Sequence, residues 1–132
     1  MRERVVSMPW PPTVNHKHIV RGKRLILSPV YRRWMVKAEI HLLTLERQPG
    51  ESLEAFTGPV EAWIYLEPPA RRPFTNKDPR KKGWDKDNRT KPVLDALVRA
   101  GIIQDDDIVW PQHVIPEPAQ GHGQVRVRLV GI

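Results

Sequence analysis

Val60-Glu61-Ala62-Trp63-Ile64-Tyr65-Leu66-Glu67 alternates apolar and polar positions along its whole length. Strand side chains point to opposite faces in turn, so Val60, Ala62, Ile64 and Leu66 predict a half-buried strand, which ends at Pro68-Pro69. Upstream, Ser28-Pro29 marks a helix start: a capping hydroxyl, then a proline whose missing N–H is harmless there. Tyr31, Trp34, Met35, Ala38, Leu42 and Leu45 recur at helical spacing, predicting a helix over Pro29–Arg47 that stops before Pro49-Gly50. Further upstream, 16–20 and 23–27 flank Arg21-Gly22 as a hairpin, and 4–8 is a short strand halted by Pro9. Downstream, residues 70–84 carry Pro, Gly, Lys and Arg without periodicity and read as a basic loop. A second helix is expected over Asn88–Arg99, with Val93, Leu94, Leu97 and Val98 inward, Pro92 in or near its first turn, and Gly101 as C-cap. Ile108–Ile115 is interrupted by Pro111 and therefore predicts an edge or bulged strand. Val125, Val127 and Leu129 mark the last strand. The expected fold is a single α+β domain over 1–132, with one mixed β-sheet and two main helices packed on it.

The chain has 132 residues, 22 Lys and Arg against 15 Asp and Glu, and a net charge of +7. Its lack of cysteine excludes disulfides, thiolate metal sites and a cysteine nucleophile. No apolar run reaches membrane-spanning length, and Met1-Arg2-Glu3-Arg4 opens no signal-peptide apolar region, so a cytoplasmic protein with no membrane partner is expected. The charge is blocked: residues 1–37 carry +8, 38–69 carry −5, 70–84 carry +5 and 85–110 carry −2. A basic excess suggests a polyanionic partner. A purely electrostatic DNA surface would keep carboxylates away from phosphate, yet a cluster of aspartates follows the second basic block. That juxtaposition makes sense if a cation sits between carboxylate and phosphate.

The cluster begins at Trp84-Asp85-Lys86-Asp87-Asn88-Arg89-Thr90-Lys91. If 85–87 is extended, Asp85 and Asp87 point the same way, about 6.6 Å apart at Cα. Such a pair can share one divalent ion or hold two, and oxygen ligands without His or Cys select Mg²⁺, with Mn²⁺ as the alternative. Asp87 or Asn88 can also cap the helix that follows. Lys91 lies one turn after Asp87, and Asp95 and Arg99 continue that polar stripe. Asp105-Asp106-Asp107 supplies further carboxylates, which reach this end of the helix only if the next strand runs beside the one that feeds Asp85. Alone, a D-x-D pair is most often a solvated turn or a cap, and an Asp triplet is most often a solvated loop.

Taken together, Asp85-x-Asp87-Asn88-x-x-Lys91-x-x-x-Asp95-Ala96-Leu97, then Ala100-Gly101, then Asp105-Asp106 resembles the RusA family of Holliday-junction resolvases. Pro9-Trp10-Pro11-Pro12 with Asn15, and Arg21-Gly22 before the first long helix, are similar to that family's opening. The resemblance implies a small homodimeric α+β endonuclease that resolves four-way DNA junctions with Mg²⁺. It implies Asp85, Asp87 and Asp106 as catalytic, metal-holding carboxylates and Lys91 as an essential lysine. Three aspartates stand where the family has two, and spacing from Ala100-Gly101 favours Asp106. The basic loop is longer than the family's shorter members need. Arg71, Arg72, Lys77, Arg80, Lys81, Lys82, Lys86 and Arg89, with Arg21, Lys23 and Arg24, are the expected phosphate contacts. Trp84 is weighed between stacking on an unpaired base and packing, Trp34 and Trp63 between core and dimer interface, and Trp10 is expected to be a structural brace. The competing functions are a non-catalytic architectural DNA-binding protein, which leaves the aspartates unexplained, and a nuclease of other branched DNA, which shares the chemistry.

Overall fold

A computed structural model describes residues 2–12, 17–44, 54–70 and 86–132, with 86–88 described by their backbone alone. Its elements are β1 (Glu3–Pro9), β2 (His18–Arg21), β3 (Arg24–Leu27), α1 (Pro29–Thr44), β4 (Val60–Glu67), α2 (Lys86–Arg99), a short 3₁₀ turn (Asp106–Ile108), β5 (Val109–Pro116) and β6 (Gln124–Gly131). Four strands form one mixed sheet in the order β1-β6-β4-β5, and β2 and β3 form a separate hairpin. This is the α+β arrangement expected. The basic loop, beyond residue 70, lies outside the described residues.

β4 is central, antiparallel to β6 and parallel to β5. Val60, Ala62, Ile64 and Leu66 are fully buried, as their alternation requires. They meet Tyr31, Trp34, Met35, Ala38 and Leu42 of α1 and Val93, Leu94 and Leu97 of α2 in one core. The opposite face carries Trp63, stacked on His113 with ring centroids 5.0 Å apart, and Arg128 lies 4.8 Å from the Trp63 ring. Trp63 is therefore not a core residue, whereas Trp34 is buried and donates its Nε1–H to Pro9 O at 3.2 Å.

Local chemistry sets the element ends. Ser28 Oγ accepts the Tyr31 N–H at 3.1 Å, and its carbonyl accepts Arg32 N–H at 3.0 Å, so the cap of α1 is made as expected. Gly101, at φ +76°, closes α2: its N–H reaches Val98 O at 3.0 Å, and Ile102 N–H reaches Leu97 O at 2.9 Å, the paired bonds of a Schellman ending. β5 is an edge strand whose register against β4 shifts between Val60 and Ala62, at Trp110-Pro111. Proline donates no ladder bond, which explains both features.

Three expectations need correction. The hairpin turn is Gly22-Lys23, not Arg21-Gly22, because Arg21 pairs with Arg24 in the ladder. Val98 is 37% exposed; a helix face at 93, 94 and 97 leaves position 98 turned out, and Ala96 is buried instead. α2 begins at Lys86, so Pro92 is its seventh residue and lies inside it. The cost there is one bond, since Pro92 has no N–H for the Asn88 carbonyl.

Candidate active site

The early start of α2 changes the first carboxylates. Lys86 and Asp87 are helical, so the extended 85–87 geometry does not hold, and Asp87 and Asn88 belong to the first turn and do not cap it. A negative residue in a first turn is favourable, because the unpaired amides there carry partial positive charge. Asp87, Lys91 and Asp95 follow one another at four-residue spacing, on one face of the helix. Asp85 lies outside the described residues, as do Trp84 and the basic residues Arg71, Arg72, Lys77, Arg80, Lys81 and Lys82.

The parallel pairing of β4 and β5 meets the topological condition for the second carboxylate group. α2 crosses between these strands, and the 3₁₀ turn lies just before β5. Lys91 Nζ meets Asp106 Oδ2 across that gap. Asp106 is the member of the triplet that meets Lys91; its side chain is 30% exposed. Asp105 does other work: its Oδ1 accepts the Asp107 N–H at 3.1 Å and caps the 3₁₀ turn. That backbone N–H, chiefly, holds the Asp105 carboxyl below the usual carboxylate value.

Lys91 also reaches Asp95 Oδ1 at 3.3 Å. The hydrogen bond to Asp106, opposed by partial burial and helped by Asp95, pushes the Lys91 ammonium above its ordinary value. Asp95 in turn accepts the Tyr31 hydroxyl at 2.7 Å and the Lys17 ammonium at 3.1 Å, both on Oδ2. Lys17, Tyr31, Arg32, Asp95, Arg99 and Asp106 line a cavity of about 380 Å³ open to solvent. Arg32, Arg33 and Lys37 on α1, and Arg21, Lys23 and Arg24 on the hairpin, are exposed.

Among the described residues no three acidic or histidine side chains converge as a metal set. The donors that the sequence gathers here are all carboxylates, and Asp106 already faces a cation in the form of the Lys91 ammonium. A hard divalent ion fits that chemistry.

Arg89 does not face outward as a phosphate contact. Its guanidinium lies 5.0 Å from the Trp10 ring, and Nη1 donates to Pro11 O. Burial lowers its affinity for the proton. Trp10 therefore acts as the expected brace, with Arg89 as its partner. Two residues of the network were not legible as functional. Tyr31 reads as one more apolar position on α1, and Lys17 stands 78 residues from Asp95 with nothing local to connect them.

The family model for endodeoxyribonuclease RusA matches residues 9–129 of the chain. No curated protein sequence matches it.

Proposed function

The chain belongs to the RusA endodeoxyribonuclease family, and from that premise we propose that it is a structure-specific nuclease that resolves four-way DNA junctions by Mg²⁺-dependent phosphodiester hydrolysis. The observation that supports the reading best is the meeting of Lys91 on α2 with Asp106 before β5. Those two residues belong to different elements, and both belong to the motif that runs from Asp85 to Asp106.

In this reading Asp85, Asp87 and Asp106 hold the divalent ion. When bound, such an ion activates water and offsets the negative charge of the transition state. Lys91 contacts the scissile phosphate and stabilises charge that develops on its oxygens, which is strongest where the donor is already in place. A carboxylate cluster alone would repel the backbone, and Lys91 with the neighbouring Lys17, Arg32 and Arg99 offsets that repulsion. The exposed basic residues of the hairpin and α1, together with the basic residues that precede Asp85 in the sequence, position the arms through phosphate contacts. A four-way junction presents two equivalent strands about a two-fold axis, so a homodimer with two identical sites matches the substrate.

The test compares wild type with Asp85→Asn, Asp87→Asn, Asp106→Asn and Lys91→Ala on a synthetic four-way junction in Mg²⁺ and Mn²⁺. The aspartate variants are expected to lose cutting and to keep or strengthen junction binding, since negative charge near phosphate is gone. Lys91→Ala is expected to lose cutting with a modest loss of binding. Negligible cutting by wild type in both metals removes the reading.

A further inference from the structure

Lys91 carries a long, flexible side chain that is 45% exposed. Its partner Asp95 lies one turn on, and an ordinary surface pair at that spacing contributes only about 0.2–0.5 kcal/mol. Such a pair would not fix an ammonium against a second carboxylate. Here Asp95 is itself immobilised. Its Oδ2 accepts the Tyr31 hydroxyl at 2.7 Å and Lys17 at 3.1 Å, which leaves Oδ1 for Lys91 at 3.3 Å. Tyr31 is 1% exposed and its ring belongs to the core between α1 and the sheet, so the hydroxyl is a rigid donor. Burial, together with the bond to Asp95, raises the Tyr31 phenol far above its ordinary value, so it stays protonated and donates at every working pH. The charges also balance: two ammonium groups, Lys17 and Lys91, face two carboxylates, Asp95 and Asp106.

We infer that Tyr31, Lys17 and Asp95 form a positioning relay that anchors Lys91 to the core, so that its ammonium keeps its place beside Asp106 whatever else Asp106 engages. The inference rests on the nuclease reading for its effect on rate, but the anchoring itself does not. Tyr31 and Asp95 are positioning residues that act through Lys91. The relay also links α1 and the residue before the hairpin to the site, so Tyr31 and Lys17 help to place Lys91.

The test uses the full chain and three variants. Tyr31→Phe removes one oxygen and keeps the ring, Asp95→Asn keeps shape and removes charge, and Lys91→Ala gives the reference. Single-turnover cleavage of a four-way junction is measured beside junction affinity without divalent metal. Loss of an outer-shell partner that orients a metal ligand costs about 10- to 100-fold in affinity or activity, and the same scale applies by analogy to a partner that orients Lys91. Asp95→Asn is expected in that range and Tyr31→Phe near its lower end, both with affinity within about twofold of wild type. The Tyr31→Phe/Asp95→Asn double variant is expected to be no slower than Asp95→Asn, because both act on one group. A second readout needs no cutting: the ¹⁵N–¹H correlation of the Lys91 ammonium is expected to be sharp in wild type and broadened in Asp95→Asn. Cleavage by both single variants within twofold of an active wild type, additive losses in the double variant, or an unchanged ammonium signal overturns the relay. If wild type cuts nothing, the nuclease reading falls, and the ammonium signal still decides the anchoring.

Discussion

The turn between β5 and β6 gives the sharpest test of the packing at the C-terminal end of β4. Gly121 and Gly123 both have positive φ, at +55° and +77°. Their surroundings differ. A Cβ on Gly121 would meet open space, whereas one on Gly123 would lie 2.7 Å from Pro69 N and 2.8 Å from Pro69 Cδ. Pro69 belongs to the chain leaving β4 towards Asp85, and the turn is bonded to that chain through Ala70 N–H to Gly121 O at 3.0 Å and Gln120 N–H to Pro68 O at 2.9 Å. An alanine in the left-handed region costs about 1–2 kcal/mol. Forcing atoms into a filled space adds about 1–3 kcal/mol, and here the neighbour is backbone that cannot rotate away. Gly121→Ala should therefore cost about 1–2 kcal/mol and Gly123→Ala about 2–5 kcal/mol. At about 4 °C per kcal/mol for a domain of this size, the Tm falls by about 4–8 °C and about 8–20 °C. Urea denaturation followed by circular dichroism, with calorimetry for Tm, measures both. Equal losses would refute the clash with Pro69, since the two sites would then differ only in φ.

Three further outcomes follow from single contacts. Arg89→Ala should lower stability by removing the Trp10 and Pro11 contacts, yet leave the salt slope of junction binding unchanged; a slope reduced by about one unit would return Arg89 to the phosphate surface. Leu66→Ala, at a fully buried position of β4, should cost about 2–5 kcal/mol in urea denaturation, and a loss below about 1 kcal/mol would contradict the packing between sheet and helices. Asp105 has its carboxyl lowered by the Asp107 N–H, so its contribution to stability is complete above the ordinary value of 3.8 and is lost as pH falls through the lowered one. Asp105→Asn should flatten stability over that acid range, and an unchanged acid profile would remove the cap from the account.

Features governed by neighbours in sequence were legible before the fold. The alternation at 60–67, the Ser28-Pro29 start and Gly101 as a helix end each depend on local sterics and hydrogen bonds, and each is where it was expected. The start of α2 was not, because Pro92 suggested a nearby helix start, while a helix tolerates one lost bond when Val93, Leu94 and Leu97 are packed in the core. Arg89 was misread for a related reason: in a basic stretch its charge suggests phosphate, but Trp10, 79 residues earlier, takes its guanidinium. At the site, Asp106 and Lys91 were legible as members of a motif. Their meeting depends on β5 running parallel beside β4, and the support from Tyr31 and Lys17 depends on α1 packing against α2; no periodicity encodes either.

The central claim is that these carboxylates and Lys91 form a metal-dependent cutting site for branched DNA. The most direct measurement is cleavage of an end-labelled four-way junction and its matched linear duplex by wild type and Asp106→Asn, in Mg²⁺ and after chelation. Wild type should cut the junction in Mg²⁺ and not after chelation, and should leave the duplex intact; Asp106→Asn should cut neither despite retained binding. Cutting that survives chelation, or that Asp106→Asn performs as well as wild type, would contradict it.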